Sequence, residues 1–338
     1  MFNDELVPRL TGELPLLNTL ELVQVDEDDW ELETFKSLTL WISVVKLSIV
    51  RCSLKNADLI NLITAFQSLE VLRLDHLLCS HNLDMSPTQY LVPWEGEIPS
   101  FSLGRLTRLI LDVHKVHKFH RSEENSLFEW ILNSNIDTLK EMYFGVSIWD
   151  AQIRSHFLRN LGPRVRHLEI GFHHLMYGQE EVLGKLIHNV RPPHLSNSPV
   201  ELCNIFDFSV HTELTSLTLP YPYKPVGLSL LSLVNAPKLE YLGLRLDFWV
   251  PALEEEDHLA WDSELASSLA THLCGVRQIR ILILKTGDSA HIRKTVLDLF
   301  PKARERVQFL VSEYQEGEEW YRSIERPHRH VKDPQNLV

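Results

Sequence analysis

The sequence predicts an α/β solenoid, a stack of strands and short helices in which each repeat packs only on its neighbours. An apolar-x-x-apolar-x-apolar pattern recurs nine times in the 338 residues, and 58 of them are leucine. Between the copies, apolar residues return with helical period. The 44% hydrophobic and 23% charged residues allow a large core and exclude disorder over most of the chain.

The copies start at Leu17 (with Leu20, Leu22), Val44 (Leu47, Ile49), Leu69 (Leu72, Leu74), Leu106 (Leu109, Leu111) and Leu139 (Met142, Phe144). They continue at Val165 (Leu168, Ile170), Leu214 (Leu217, Leu219), Leu239 (Leu242, Leu244) and Ile279 (Leu282, Leu284), with a weaker tenth copy at Val307 and Leu310. The steps are 27, 25, 37, 33, 26, 49, 25 and 40 residues, so some repeats are short and others carry insertions. The fourth and sixth positions lie two apart and share one side of an extended chain, while the third, fifth and seventh face the other side. One face is therefore core and the other is free.

The connections read as helices. Leu59, Leu62, Ile63 and Phe66 form an i, i+3, i+4, i+7 stripe after Asn56, a capping residue type. Ile153, Phe157, Leu158 and Leu161 share a face that stops at Gly162 and Pro163; Leu265, Leu269 and Leu273 stop at Gly275; Ile292, Val296 and Phe300 stop at Pro301. A doubly wound sheet also alternates strands and helices, but its strands have no reason to share one three-position signature nine times. The expected architecture is thus one domain over residues 1–312, with about nine strands lining a concave parallel sheet and short helices on the convex side. Residues 313–338 end in RPHRHVKDPQNLV, Pro and charge without apolar period, and read as a mobile polar tail.

The segment Val44 to Leu54, VVKLSIVRCSL, fits L-x-x-L-x-L-x-x-C-x-L with Cys52 at the ninth position. On it and on the copies between Leu17 and Leu310 the sequence resembles the leucine-rich repeat superfamily, and within it the irregular repeats in the ligand-recognition half of fungal F-box proteins. Val25, Leu77, His114, Ser147 and His173 depart from the Asn or Cys of that ninth position. The resemblance implies a non-enzymatic protein-recognition domain, the substrate-receptor part of an F-box-type ubiquitin ligase. It also implies an F-box before the repeats. The 16 residues ahead of Leu17 show no such module, so the expectation is a member without the adaptor-binding half.

Charge and motifs narrow the chemistry. The formal charge of -13 disfavours nucleic acid, whose phosphates call for a basic surface. The longest stretch free of Asp, Glu, Lys and Arg, Pro225 to Pro237, is 13 residues and too short to span a bilayer, and Met1 to Leu10 lack the apolar core of a secretory signal. Cys52, Cys79, Cys203 and Cys274 are widely separated, which fits reduced thiols in the cytoplasm or nucleus. No phosphate-binding glycine loop, G-x-S-x-G or H-E-x-x-H is present, so no catalytic residue, cofactor or metal is expected. His114, His117 and His120 recur every third residue but alternate with Lys115 and Lys118 and read as a solvated loop, as do His173 and His174. The acidic runs Asp26 to Asp29, Glu254 to Asp257 and Glu316 to Glu319 lack calcium-loop spacing. An unrecognised metal or cysteine enzyme, or a small-ligand receptor roofed by the insertions, are the alternatives.

The expected binding surface is the free face of the sheet, taken up by a protein partner. Arg73, Arg108, Tyr143 and His167 should fall on consecutive strands, an aromatic among basic groups, residue types enriched where binding energy concentrates. Tyr241, Arg245, Ile281 and Ile283 form a second expected patch.

Overall fold

The computed structural model describes residues 14, 16–25, 38, 41, 43–52, 54, 56–75, 77, 103–112, 121–146, 151–172, 208–220, 234, 236–246, 255–284 and 289–314. The chain is α/β and divides into two compact units, Met1–Arg164 and Val165–Val338.

The first unit runs β1 (Thr19–Val23), β2 (Lys46–Val50), α1 (Asn56–Thr64), β3 (Val71–Asp75), β4 (Arg108–Asp112), α2 (Arg121–Asn133), β5 (Glu141–Val146) and α3 (Ala151–Leu161). Its five strands pair in parallel in chain order. Leu20, Leu47, Leu72, Leu109 and Met142 stand side by side, as do Leu22, Ile49, Leu74, Leu111 and Phe144. These rows are the fourth and sixth positions of the sequence pattern, and all but the edge residue Leu20 are buried.

The second unit runs β6 (His167–Phe172), β7 (Ser216–Pro220), β8 (Tyr241–Leu246), α4 (Glu255–Ala270), β9 (Gln278–Leu284), α5 (Ser289–Asp298), α6 (Pro301–Arg304) and β10 (Gln308–Tyr314), again parallel in chain order. Its fourth-position row is Leu168, Leu217, Leu242, Ile279 and Phe309. That register corrects two expectations. The ninth copy begins at Val276, three residues before Ile279, so Ile279 and Ile281 are its core pair. In the tenth, Phe309 and Val311 face the core and Leu310 faces away, and the strand continues to Tyr314, past the predicted boundary at 312.

Two backbone devices set the stack. Nine times, the first-position N–H donates to the carbonyl three residues back, as in Leu69 to Phe66 and Val276 to Leu273, turning the chain into the strand. Seven times, the second- and third-position N–H groups both donate to the second-position carbonyl of the preceding repeat, as Glu70 and Val71 do to Val45. At the eighth position Gln24 and Arg51 take φ of 56 and 54°, the left-handed region, and each donates its N–H to the next strand. That bend swings the ninth residue inward: Val25 and Cys52 are buried, and the Cys52 thiol lies 3.5 Å from the Leu22 carbonyl oxygen and 3.4 Å from that of Val50.

The helices supply the other wall of each core. Leu59, Leu62, Ile63 and Phe66 are all buried, as predicted, and α3 ends where Gly162 takes φ of 59°. The sequence reading did not anticipate α2, whose Leu127, Phe128, Trp130 and Ile131 are buried. Phe128 meets Phe157 at 4.8 Å and Phe144 at 6.0 Å between ring centroids. Arg154, fully buried on α3, places its guanidinium carbon 5.3 Å from the Phe144 ring centroid and 5.9 Å from that of Phe128, a cation-π arrangement inside the core.

In the second unit Pro301 ends the helical stripe and also begins α6, where its missing N–H costs nothing. The buried Asp262 of α4 accepts hydrogen bonds from the Lys302 and Ala303 amides at 3.0 and 2.9 Å, satisfying helix-start donors from 40 residues away. Asp262→Ala should cost about 2 kcal/mol of unfolding free energy in the full chain, a large cap loss, because the buried Ala303 amide and the part-buried Lys302 amide lose their acceptor. Urea titration measures it; a loss below about 0.5 kcal/mol would mean the carboxylate is not what holds α6 to α4.

Candidate functional site

The candidate surface is built from the third, fifth and seventh positions, which point away from the rows of core leucines. In the first unit the fifth-position row reads Glu21, Ser48, Arg73, Ile110, Tyr143, and the third-position row Thr19, Lys46, Val71, Arg108, Glu141. Arg73, Arg108 and Tyr143 therefore share one face. His167 belongs to β6 of the second unit, where it stands beside Ser216.

Placement on that face does not mean exposure. Arg73 is 5% exposed and Tyr143 1%, with Ile110 and Asp75 also buried. The Arg73 guanidinium hydrogen-bonds the Asp75 carboxylate, two residues on along the same face, and lies 3.7 Å from Glu21 two strands away. Arg108, half-exposed, donates from Nε to Oε2 of Glu141 on the next strand at 2.6 Å. The basic groups of this patch are thus neutralised by acids of the same face.

In the second unit Tyr241 is exposed at 41% and Arg245 is buried, both on the outward side of β8. Ile281 and Ile283 are 0% and 2% exposed and belong to the core. Their expected place on the free face is corrected by the three-residue shift of the ninth copy, an odd shift that exchanges the two sides of a strand. Gln278, Arg280 and Leu282 take the outward positions instead, Gln278 beside Tyr241 and Arg280 beside Gly243. Sequence reasoning missed Arg280. A buried apolar residue stands three before several first positions, Trp41, Phe66, Leu103, Ile136 and Leu273, but Val276 stands likewise three before Ile279, so this signal fits both starts of the ninth copy.

The outward rows differ in access. Every third-position residue, from Thr19, Lys46, Val71, Arg108 and Glu141 in one unit to His167, Ser216, Tyr241, Gln278 and Gln308 in the other, is half-buried or exposed. The fifth and seventh rows include buried residues in both units, among them Arg73, Tyr143, Glu169 and Arg245. The accessible strip is thus mixed: hydroxyls, amides, single charges of both signs and one aromatic.

Burial pushes the Arg280 guanidinium below its ordinary range. Just before the first positions of the seventh and eighth repeats, Lys238 Nζ donates to both carboxylate oxygens of Glu213 at 2.6 and 2.7 Å and holds that carboxyl below 4.5.

Among the described residues no group of three His, Cys, Asp or Glu side chains converges as a metal site, and no helix is long and apolar enough to cross a membrane. His114, His117, His120, His173, His174, Cys79, Cys203, two of the acidic runs and the segment after Tyr314 lie outside the described residues, as do the side chains of the third run, Glu254 to Asp257. Of the described cysteines, Cys52 is buried and Cys274 exposed, both free. Comparison with protein-family models and with curated protein sequences gives no match.

The ion pairs lead to two expectations. Arg73→Glu should lower unfolding free energy by about 3 kcal/mol, since it removes the partner of buried Asp75 and adds a like charge beside Glu21; melting unchanged from the parent would show that the pair is solvated. For Glu213 the lowered folded pKa means that its stabilising contribution is present above the unfolded value of 4.5 and fades as pH falls through the folded one. Lys238→Met should raise the Glu213 carboxyl pKa toward 4.5 in an NMR titration, and an unmoved titration would rule out the lysine as its cause.

Proposed function

We propose that this chain is a protein-recognition domain of the leucine-rich repeat type, acting by contact and not by catalysis, in the cytoplasm or nucleus. One observation carries the reading. The third-position row stays accessible in every repeat of each unit while the fourth and sixth are sealed but for the edge residue Leu20, so each strand offers an outward side chain on a regularly spaced backbone. A strip of mixed polarity with an exposed tyrosine suits an extended protein segment better than a small ligand, which binds in an enclosing pocket.

Within that reading the resemblance to fungal F-box proteins makes the substrate-receptor role in a ubiquitin ligase the specific form of the proposal. It rests on analogy at the level of fold, because folds of this kind serve many ends. Affinity purification of the full chain from its native extract tests both levels. Tyr241→Ala and Arg108→Ala should each cut recovery of the bound partner about tenfold, with melting changed by less than about 0.5 kcal/mol. A cullin adaptor among the retained proteins supports the ligase form. Retention indifferent to both substitutions would remove the sheet face from the function.

A further inference from the structure

We infer that the sheet face of the second unit receives an acidic segment of a protein partner, with Arg280 as the group that binds its carboxylate. The inference rests on the protein-recognition reading and adds the chemistry of the partner.

The outward arginines are not all met alike, and Arg245 of the second unit is buried. In the first unit, Arg73 is met by Asp75 and Glu21, and Arg108 by Glu141. In the second, Arg280 is half-buried and its guanidinium makes no ion pair or hydrogen bond among the described residues. Several acids of this unit are committed elsewhere: Glu213 to Lys238, Glu240 to Arg277, Asp262 to the start of α6, and Glu313 to Arg293. The one acid on the outward face of these strands, buried Glu169 on β6, is three strands from Arg280, roughly 14 Å at the usual strand spacing.

A partly desolvated guanidinium without a carboxylate is an unfavourable arrangement, relieved when a planar anion supplies the missing hydrogen bonds. The surroundings suit an extended chain carrying that anion. Gly243, beside Arg280, brings no side chain of its own, and the Thr218 side chain leans over it: a methyl at Gly243 would fall 2.4 Å from the Thr218 hydroxyl oxygen. The Thr218 side chain thus fills the place that a side chain at Gly243 would take, and sets its hydroxyl in the same row as the Arg280 guanidinium. Exposed Tyr241 and half-exposed Gln278 stand one position toward the strand start, and Gln308 follows on β10, so amide and aromatic contacts continue across three strands. A free inorganic anion would use only the guanidinium; a peptide with an Asp or Glu uses the whole strip.

The test is selection of displayed random dodecapeptides on the full chain, followed by fluorescence anisotropy of the selected peptides. The expected result is enrichment of Asp and Glu at one position, with affinity falling at least about tenfold on Arg280→Gln and more on Arg280→Glu, and partly restored when that acid is replaced by Lys against Arg280→Glu. Thermal melting of both variants separates this loss from unfolding, and Arg280→Gln is the milder substitution if Arg280→Glu melts early. Selected peptides without acidic enrichment, or with affinities indifferent to Arg280→Gln but sensitive to Tyr241→Ala, would overturn the inference and leave the recognition reading standing. A selection that yields no binding peptide counts against both. Competition by inorganic phosphate as effective as the acidic peptide would make Arg280 a simple anion site and also overturn the inference.

Discussion

The structure depends on one carbonyl at the start of each strand that accepts two amides from the next repeat. The acceptors are Asn18, Val45, Glu70, Thr107, Arg166, Thr215 and Glu240, residues with nothing in common as side chains. The device is wholly backbone, so the second position is free to vary while the register stays fixed. Fixed register is what matters, because a slip of one residue would turn each leucine of a strand from the core to the opposite face. With the start of each strand pinned and the first-position turn behind it, connections of very different length can be inserted without disturbing either face.

This division explains what the sequence showed and what it hid. The rows through Leu47, Leu72 and Leu109 were legible because core positions tolerate only apolar side chains and recur at fixed offsets. The ninth strand, QIRILIL, was not, because Ile279, Ile281 and Ile283 alternate with Leu282 and Leu284 and the apolar template fits at two starting points three residues apart. Both faces of that strand are buried at Leu282, so alternation loses its information there. At the last strand the first position is Arg306, exposed, where no described repeat follows to cover it; at β1, Leu20 is only half-buried for the matching reason. Apolar pattern marks positions that a neighbour covers and weakens where none does.

Charged residues were the second gap. Arg73, Arg154 and Asp262 are buried, although each would be assigned to the surface from its type. Their partners lie at different sequence distances. Asp75 is two residues from Arg73, on the same side of the same strand, and is readable once the register is known. The rings around Arg154 come from α2 and β5, and the amides held by Asp262 lie 40 residues on, so only the folded chain brings them together. These groups fix how helices seat on the strands, and a buried charge of this kind costs most when it loses its partner.

The candidate surface shows why the charge sum is a poor guide to a binding face. The chain carries a formal charge of -13, yet the outward positions of β8 and β9 hold Arg245 and Arg280, with Glu169 the nearest acid on that face. At physiological salt the field of the remaining acids is screened beyond about 8 Å, so a partner meets Arg280 at contact and the acidic body only on approach. For an acidic partner these two ranges oppose each other: approach is slowed by the net charge, and the contact is held by a guanidinium in a poorly hydrated place. Added salt would then speed association by screening the repulsion while weakening the bound state less than it weakens a surface pair, because a half-buried charge is less screened. A salt response split between on-rate and off-rate in this way follows from placing an arginine without an ion pair in a half-buried position, and net charge alone would have predicted the opposite preference for a partner.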